Sequence, residues 1–317
     1  MSKIVNSNKN LTLIIPVKSS DFKYIKKIIP LINKNISPQS IVVISGNEIK
    51  EDCKHLGVIF YNENKIFSGL SFFQVKHTLE ILGIKTDVTG WYLQQFLKLG
   101  FALSKYAGDY YLSWDSDTLP LHEISFFKGE HPLFTPKKEY NPSYFTTIKK
   151  LFGLDKIVDY SFIAEHMLFK TEIVKKMLDD IMKSSVVGDD WIEKILNAGD
   201  YSMKYAPFSE FETYGTYCMY KYPDLYHLRH LCTFRFAGYI RGRRINDKLI
   251  ADMAWDLDIA SFEIYHGPMF PYNLTALYYK NKQRYFRYRR KSIKELLIII
   301  RERLLGKNIA KNDLLTR

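Results

Sequence analysis

Two carboxylates spaced i, i+2 close an apolar, aromatic run: Tyr110-Tyr-Leu-Ser-Trp114 leads into Asp115-Ser-Asp117. The run reads as a buried strand. Side chains at i and i+2 of a strand point to the same side. Asp115 and Asp117 can therefore face one hard cation as the chain leaves the strand. Oxygen donors suit Mn2+ or Mg2+, ions that commonly share a site with substrate phosphates. Asp, Ser and Asp before Thr118-Leu-Pro120 are also turn formers. Taken alone, the pair leaves a capped loop as the plain alternative.

The elements around this pair follow from periodicity. Leu11–Val17, Ile41–Ile44 and Val58–Tyr61 read as strands, and Asp21 as the cap of a helix through Ile32 that Pro30 shortens or kinks. Tyr92, Phe96, Leu99 and Leu103 have helical spacing, with Gly108 as the stop. Gln95 and Lys98 sit one turn apart on that helix and can share a face. That face is either solvated or placed to hold a diphosphate. Further on, Ser161–Phe169 reads as a strand, Thr171 as the cap of a helix, and Ser209 with Glu212 as a capping box. Leu231–Phe236 and Ile259–Tyr265 read as strands around a helix near 247–255. Strands alternating with helices predict an α/β fold, a Rossmann-like mixed sheet flanked by helices.

Composition narrows the class. At 46% hydrophobic and 25% charged, the 317-residue chain has ample material for a large core. Aromatic residues reach 15%, which serves a plain aromatic core or platforms for sugar rings and bases. Cys53, Cys218 and Cys232 have no metal-binding spacing and an odd count, which predicts a reducing compartment. No leader-like start or membrane-spanning run is legible, so a cytoplasmic location is expected. The net charge of +12 is uneven: residues 280–317 hold 13 Lys or Arg against Glu295, Glu302 and Asp313, leaving only +2 on the rest.

Five segments then occur in a telling order: Ile14-Ile-Pro-Val-Lys18, Gly90-Trp-Tyr-Leu-Gln-Gln-Phe-Leu-Lys98, Tyr110–Asp117, Glu165-His-Met-Leu-Phe169 and Ser209-Glu-Phe-Glu-Thr-Tyr214. Together, over about residues 10–240, they resemble a largely uncharacterised family of bacterial GT-A-type glycosyltransferases associated with surface polysaccharide assembly, such as lipopolysaccharide or capsule. The resemblance implies a GT-A-like catalytic domain over residues 1–273, with a nucleotide-binding half to about 120 and an acceptor half from 121. It implies a nucleotide-sugar donor, expected to be a UDP-sugar, and a divalent ion. Pro16, Val17 and Lys18 would meet the nucleotide, and Asp115 and Asp117 the metal on its diphosphate, with Gln95 or Lys98 assisting. Trp91, Glu165 and His166 would contact donor sugar or acceptor, although a lone strand histidine is commonly structural. His266 resembles the C-terminal histidine that completes the metal site in many such enzymes. An inverting transfer needs a carboxylate to take the acceptor proton. Glu210 is read as that base and Glu212 as the helix cap, with the swap left open.

The remaining 274–317 form a basic tail. Lys280–Lys291 interleaves cations with aromatics, and Ile293–Leu305 is apolar on more than half its surface. Over residues 280–305 this predicts a helix lying in an anionic membrane surface, peripheral on the inner face of the cytoplasmic membrane. An oligomer contact is the alternative use of the same tail. A nearly neutral body offers no second basic face, so nucleic acid is not expected. Two other functions compete: a nucleotidyltransferase, which also uses paired acids and a metal, and a non-catalytic membrane-associated binding protein. Sugar nucleotidyltransferases usually carry a glycine-rich basic loop after the first strand, and here Lys18-Ser-Ser-Asp21 has no glycine.

Overall fold

The computed structural model describes residues 10–202, 206–242, 245–263, 267–270 and 273–274. The chain divides into two compact units: residues 1–235 with 245–263, and residues 236–244 with 264–317.

The first unit is built on strands β1 (Thr12–Pro16), β2 (Ser40–Ser45), β3 (Ile59–Asn62) and β4 (Tyr110–Trp114). They are followed by β5 (Thr118–Pro120), β6 (Phe127–Lys128), β7 (His131–Phe134), β8 (His166–Lys170), β9 (His227–Leu228), β10 (Thr233–Phe234) and β11 (Ile259–Ser261). The main sheet has the order β3-β2-β1-β4-β8. Its first four strands are parallel and β8 runs antiparallel to β4. This is the mixed α/β sheet the sequence predicts. Its strands read as continuous apolar runs because both faces are buried. Two small sheets, β10-β11-β5 and β6-β7-β9, adjoin it.

The helices of this unit are α1 (Phe22–Asn35), α2 (Lys50–His55), α3 (Phe72–Ile81), α4 (Thr89–Gly100), α5 (Pro142–Phe152), α6 (Thr171–Lys183), α7 (Trp191–Ala198) and α8 (Glu210–Lys221). Ile14, Val42, Ile44, Tyr111 and Phe169 of the sheet share one core with α3, α4, α6, α7 and α8. The second unit contains α9 (Ala237–Arg241), and the amide of Met269 donates to the Tyr239 carbonyl at 2.8 Å. Helix α10 (Asp247–Met253) returns to the first unit.

Several boundaries differ from expectation. Helix α1 continues through Pro30 to Asn35. Pro30 is exposed while Ile25, Ile28, Ile29 and Ile32 are buried. Each buried Ile contributes about 1.5–3 kcal/mol, which together outweighs the roughly 3 kcal/mol an interior proline costs. Asp21 makes no side-chain cap, and a 3-10 turn over Ser19–Asp21 starts the helix instead. Helix α4 stops at Gly100 and a 3-10 turn spans Phe101–Leu103, so Gly108 is not its end. Thr171 is the first helical residue of α6, not its cap, and its hydroxyl donates to the Gly108 carbonyl. Strand β8 starts only at His166, because Ser161 pairs with Lys137 instead. Among the described residues no helix is long and apolar enough to cross a membrane. The predicted tail helix at 280–305 and His266 lie outside the described residues.

Candidate active site

Strand β1 has β2 on one side and β4 on the other, so the winding of the sheet reverses there. In open α/β sheets ligands bind outside the carboxyl ends of the strands at such a reversal. The parallel register sets Ile14 beside Ser113. Two residues later, Pro16 and Asp115 are level. Pro16-Val-Lys18 and Asp115-Ser-Asp117 therefore leave the sheet side by side. Pro16 and Val17 are buried and Lys18 is exposed.

Alternation along β4 turns Tyr111, Ser113 and Asp115 to the face covered by α4. The Tyr111 hydroxyl donates to the Lys98 carbonyl at 2.8 Å. The Lys98 ammonium, with a side chain only 5% exposed, donates to Asp115 Oδ1 at 2.9 Å and to Glu210 Oε1 at 2.7 Å. It also lies 4.2 Å from the ring centre of Phe211. Burial opposes the charge on Lys98. The two carboxylates more than offset that, and its pKa stays above the ordinary lysine range. Burial raises the pKa of Glu210, with Lys98 working against the rise.

Gln95 and Lys98 share a face, as their spacing predicts, but that face is buried against the start of α8. Gln95 Oε1 accepts the backbone N–H of Glu210 at 3.0 Å. This satisfies one of the orphan donors at a helix N-terminus.

Glu212 is differently occupied. Ser209 caps α8 by accepting the N–H of Glu212 at 3.3 Å, yet the Glu212 side chain does not reach back to complete the box. Its Oε2 accepts from the Ser161 hydroxyl at 2.7 Å and the Phe162 N–H at 3.1 Å, and Lys156 is 3.5 Å from Oε1. Glu212 thus ties segment 156–162 to α8. One turn later, a β-carbon on Gly215 would stand 2.1 Å from the Phe162 ring, so only glycine admits that ring against the helix. Glu212→Ala is expected to lower folding stability by about 2–3 kcal/mol in urea denaturation, because the buried Ser161 and Phe162 donors lose their acceptor.

The second half of the site comes from the β5–β11 pairing. The Phe262 N–H donates to the Asp117 carbonyl at 2.9 Å, which brings Glu263 to the side of Asp117. Burial first, then the Asp115 and Glu263 carboxylates, push the Asp117 carboxyl up to about 7. Arg235 joins three acids: Glu139 at 2.6 Å, Glu263 at 3.5 Å and Glu165 at 3.9 Å. Lys137 lies 3.1 Å from Glu165 Oε2. Glu165 is buried, and its carbonyl accepts the Asp115 N–H at 3.1 Å.

Sequence reasoning passed over Arg235, Glu139, Lys137 and Glu263. One signal was available: Glu263 closes the apolar run Ile259-Ala-Ser-Phe262 much as Asp115 closes Tyr110–Trp114. The other three meet only through tertiary pairing.

Asp115, Asp117, Glu139, Glu165, Glu210 and Glu263 face Lys98, Lys137 and Arg235, a clear acidic excess. The donor set fits a hard divalent cation: it is all oxygen, and the burial and neighbouring like charge that raise the Asp117 carboxyl to about 7 are what a cation would offset. Among the described residues no group of three or more His, Cys, Asp or Glu is arranged to hold a metal. Asp115 and Asp117 would share the ion with phosphate oxygens and water, the usual mode for Mg2+.

His166 and Trp91 lie elsewhere. His166 follows Glu165 and so points to the other face of the sheet. Its ring stacks on Trp114 at 5.4 Å and 16°, and Nε2 lies 3.0 Å from the Thr135 hydroxyl and 3.3 Å from Arg229. Burial, then Arg229 and Lys137, hold its pKa well below the ordinary range, so it is neutral. Trp91 is 36% exposed on the first turn of α4 and meets Tyr92 edge-on at 5.0 Å.

Residues 6–235 match the family described as "Family of unknown function (DUF6492)". No curated protein matches the chain. Among solved structures, mouse xyloside xylosyltransferase 1 in its apo form is similar at 12% identity, over 82% of this chain and 99% of that one, with a TM-score of 0.42. The mannosyltransferase Ktr4p from S. cerevisiae is similar at 11% identity over 70% and 69%, with a TM-score of 0.44. The galactosyltransferase LgtC, with donor and acceptor sugar analogues, is similar at 13% identity over 84% and 94%, with a TM-score of 0.40.

Proposed function

The chain belongs to the DUF6492 family, and we propose that it is a metal-dependent glycosyltransferase. It moves a sugar from a nucleotide-sugar donor, a UDP-sugar on the sequence reading, to a hydroxyl of a bacterial surface glycan or glycolipid. The observation that carries this reading is the pair Asp115 and Asp117 at the carboxyl end of β4, beside β1, with a buried lysine bonded to Asp115.

In this reading Pro16, Val17 and Lys18 line the nucleotide. Asp115 and Asp117 would hold the divalent ion, which supplies Lewis-acid neutralisation of the leaving diphosphate. Lys98 fixes the Asp115 carboxylate, and its second hydrogen bond orients the Glu210 carboxyl. The bond from the anomeric carbon to the diphosphate oxygen breaks, and its electron pair stays on the phosphate. The acceptor oxygen bonds to the anomeric carbon from the opposite face, and its proton passes to Glu210. Glu210→Gln is expected to reduce sugar transfer by about 10²–10⁴-fold, the span of general-base catalysis, with nucleotide affinity nearly unchanged.

Titration calorimetry with UDP, GDP, CDP and dTDP in Mn2+ tests the binding half. One of the four is expected to bind, and Asp115→Ala to abolish it. Absence of binding by all four would remove the reading. The phosphate product separates the nucleotidyltransferase alternative: sugar transfer releases a nucleoside diphosphate, whereas nucleotidyl transfer releases pyrophosphate.

A further inference from the structure

The segment leaving Lys137 toward α5 carries an aromatic ring that the core does not use. Tyr140 is 64% exposed, yet its ring is held flat on Phe145, 5.5 Å between centres and 18° between planes. Phe145 is fixed in turn. The Lys156 ammonium lies 4.8 Å from its ring centre, and Lys156 is anchored to Glu212 and to the Tyr160 carbonyl. Both ends of the segment are pinned. Lys137 and Ser161 exchange backbone hydrogen bonds of 2.9 and 2.8 Å, and Asn141 caps α5 by accepting the Ser143 N–H at 3.2 Å. A large exposed ring on a rigid turn is a preorganised apolar surface.

Its neighbours are polar and belong to the acidic cluster. Glu139, the preceding residue, pairs with Arg235 at 2.6 Å, and Arg235 reaches Glu165 beside Asp115. Burial raises the pKa of Tyr144, on the first turn of α5, and the Glu210 and Glu139 carboxylates add to the rise. The turn therefore stands next to the proposed transfer centre. An aromatic floor with a charged rim matches one ligand class well. A pyranose offers a face of C–H groups for stacking and a belt of hydroxyls for carboxylate and guanidinium.

We propose that Tyr140, stacked on Phe145 and flanked by Glu139 and Arg235, is the acceptor subsite and takes a pyranose ring. This deepens the glycosyltransferase reading and rests on it for the word acceptor. The sugar binding itself stands apart from that reading. Glu165, which Arg235 reaches from the subsite, directly precedes β8, and β8 flanks β4 on the side away from β1 and Pro16-Val-Lys18, so the nucleobase is not assigned to the subsite.

The test uses the full chain and saturation-transfer NMR with the methyl pyranosides of glucose, galactose, mannose and N-acetylglucosamine. At least one is expected to receive saturation on its ring protons. Tyr140→Ala is expected to weaken that signal about tenfold, the order a lost stacking contact gives, and Tyr140→Trp to retain it. Nucleotide affinity in Mn2+ stays the same in both variants. No saturation transfer in the wild type, or an equal signal in Tyr140→Ala, overturns the proposal. So does a fall in nucleotide affinity with Tyr140→Ala, which would assign the ring to the base. Pyranoside binding without donor turnover would sink the transferase reading and keep the sugar site, while donor turnover without pyranoside binding would do the reverse.

Discussion

Lys98→Met is expected to lower folding stability by about 3–5 kcal/mol, the cost of removing one partner from a buried ion pair. The Lys98 ammonium is bonded to Asp115 and Glu210 at 2.9 and 2.7 Å, and the Glu210 side chain is only 6% exposed. Methionine fills a similar volume, so packing against Phe211 survives and the loss is electrostatic. The variant leaves the buried Glu210 carboxylate with no counter-charge and with Asp115 as a like charge nearby. Adding Glu210→Gln removes that charge and is expected to recover most of the loss. Asp115, at 25% exposure, keeps access to solvent. Urea denaturation of the two variants reads both effects. A cost under about 1 kcal/mol for Lys98→Met would match a surface pair and contradict a buried one.

The second large effect concerns pH and the cation. The Asp117 carboxyl sits at about 7, raised from 3.8 by burial and by Asp115 and Glu263. Below that pH the group carries a proton and is a poor ligand. Apparent Mn2+ affinity is expected to rise about tenfold per pH unit below 7 and to level off above it. In Asp117→Asn the slope vanishes and affinity falls to the level of a single carboxylate. Stability moves the other way. A folded pKa raised above the unfolded one stabilises fully below pH 3.8, and that contribution is lost as pH rises to 7. In chelator at pH 8, Asp117→Asn is therefore expected to melt several degrees higher than wild type, a gain of about 1–2 kcal/mol from removing a buried like charge. Melting at equal temperatures at pH 8 would mean that Asp117 is no more strained than a surface aspartate.

The parts of this molecule with strong periodicity were legible. Strands β1, β2 and β4 are continuous apolar runs, and the acids closing β4 stand where the sheet reverses. Gln95 and Lys98 share a face as spacing requires, but that α8 covers it depends on a contact 115 residues along the chain, which periodicity does not carry. Helix α3 was missed because only Val75 and Leu79 are buried, while Phe73 and Ile81 are exposed and blur the stripe. The reach of α1 past Pro30 was missed because a local rule lost to a buried isoleucine stripe. Glu212 looked like half of a capping box. Its side chain is taken by Ser161 and Phe162, about 50 residues earlier in the chain. The Arg235 cluster was hidden for the same reason: it joins Glu139, Glu165 and Glu263 from three separate segments.

The most direct measurement is release of nucleoside diphosphate from a panel of UDP-, GDP- and dTDP-sugars, with CMP release from a CMP-sugar alongside. It is run with Mn2+ and with chelator, on wild type and Asp117→Asn. It needs no knowledge of the acceptor, because water can take the sugar slowly. The account predicts release from one donor that stops in chelator and falls at least about 10³-fold in the variant, as expected when both charge neutralisation and positioning of the diphosphate are lost. No release from any donor, or release indifferent to chelator and to Asp117, would contradict it and leave Asp115-Ser-Asp117 as a capped turn.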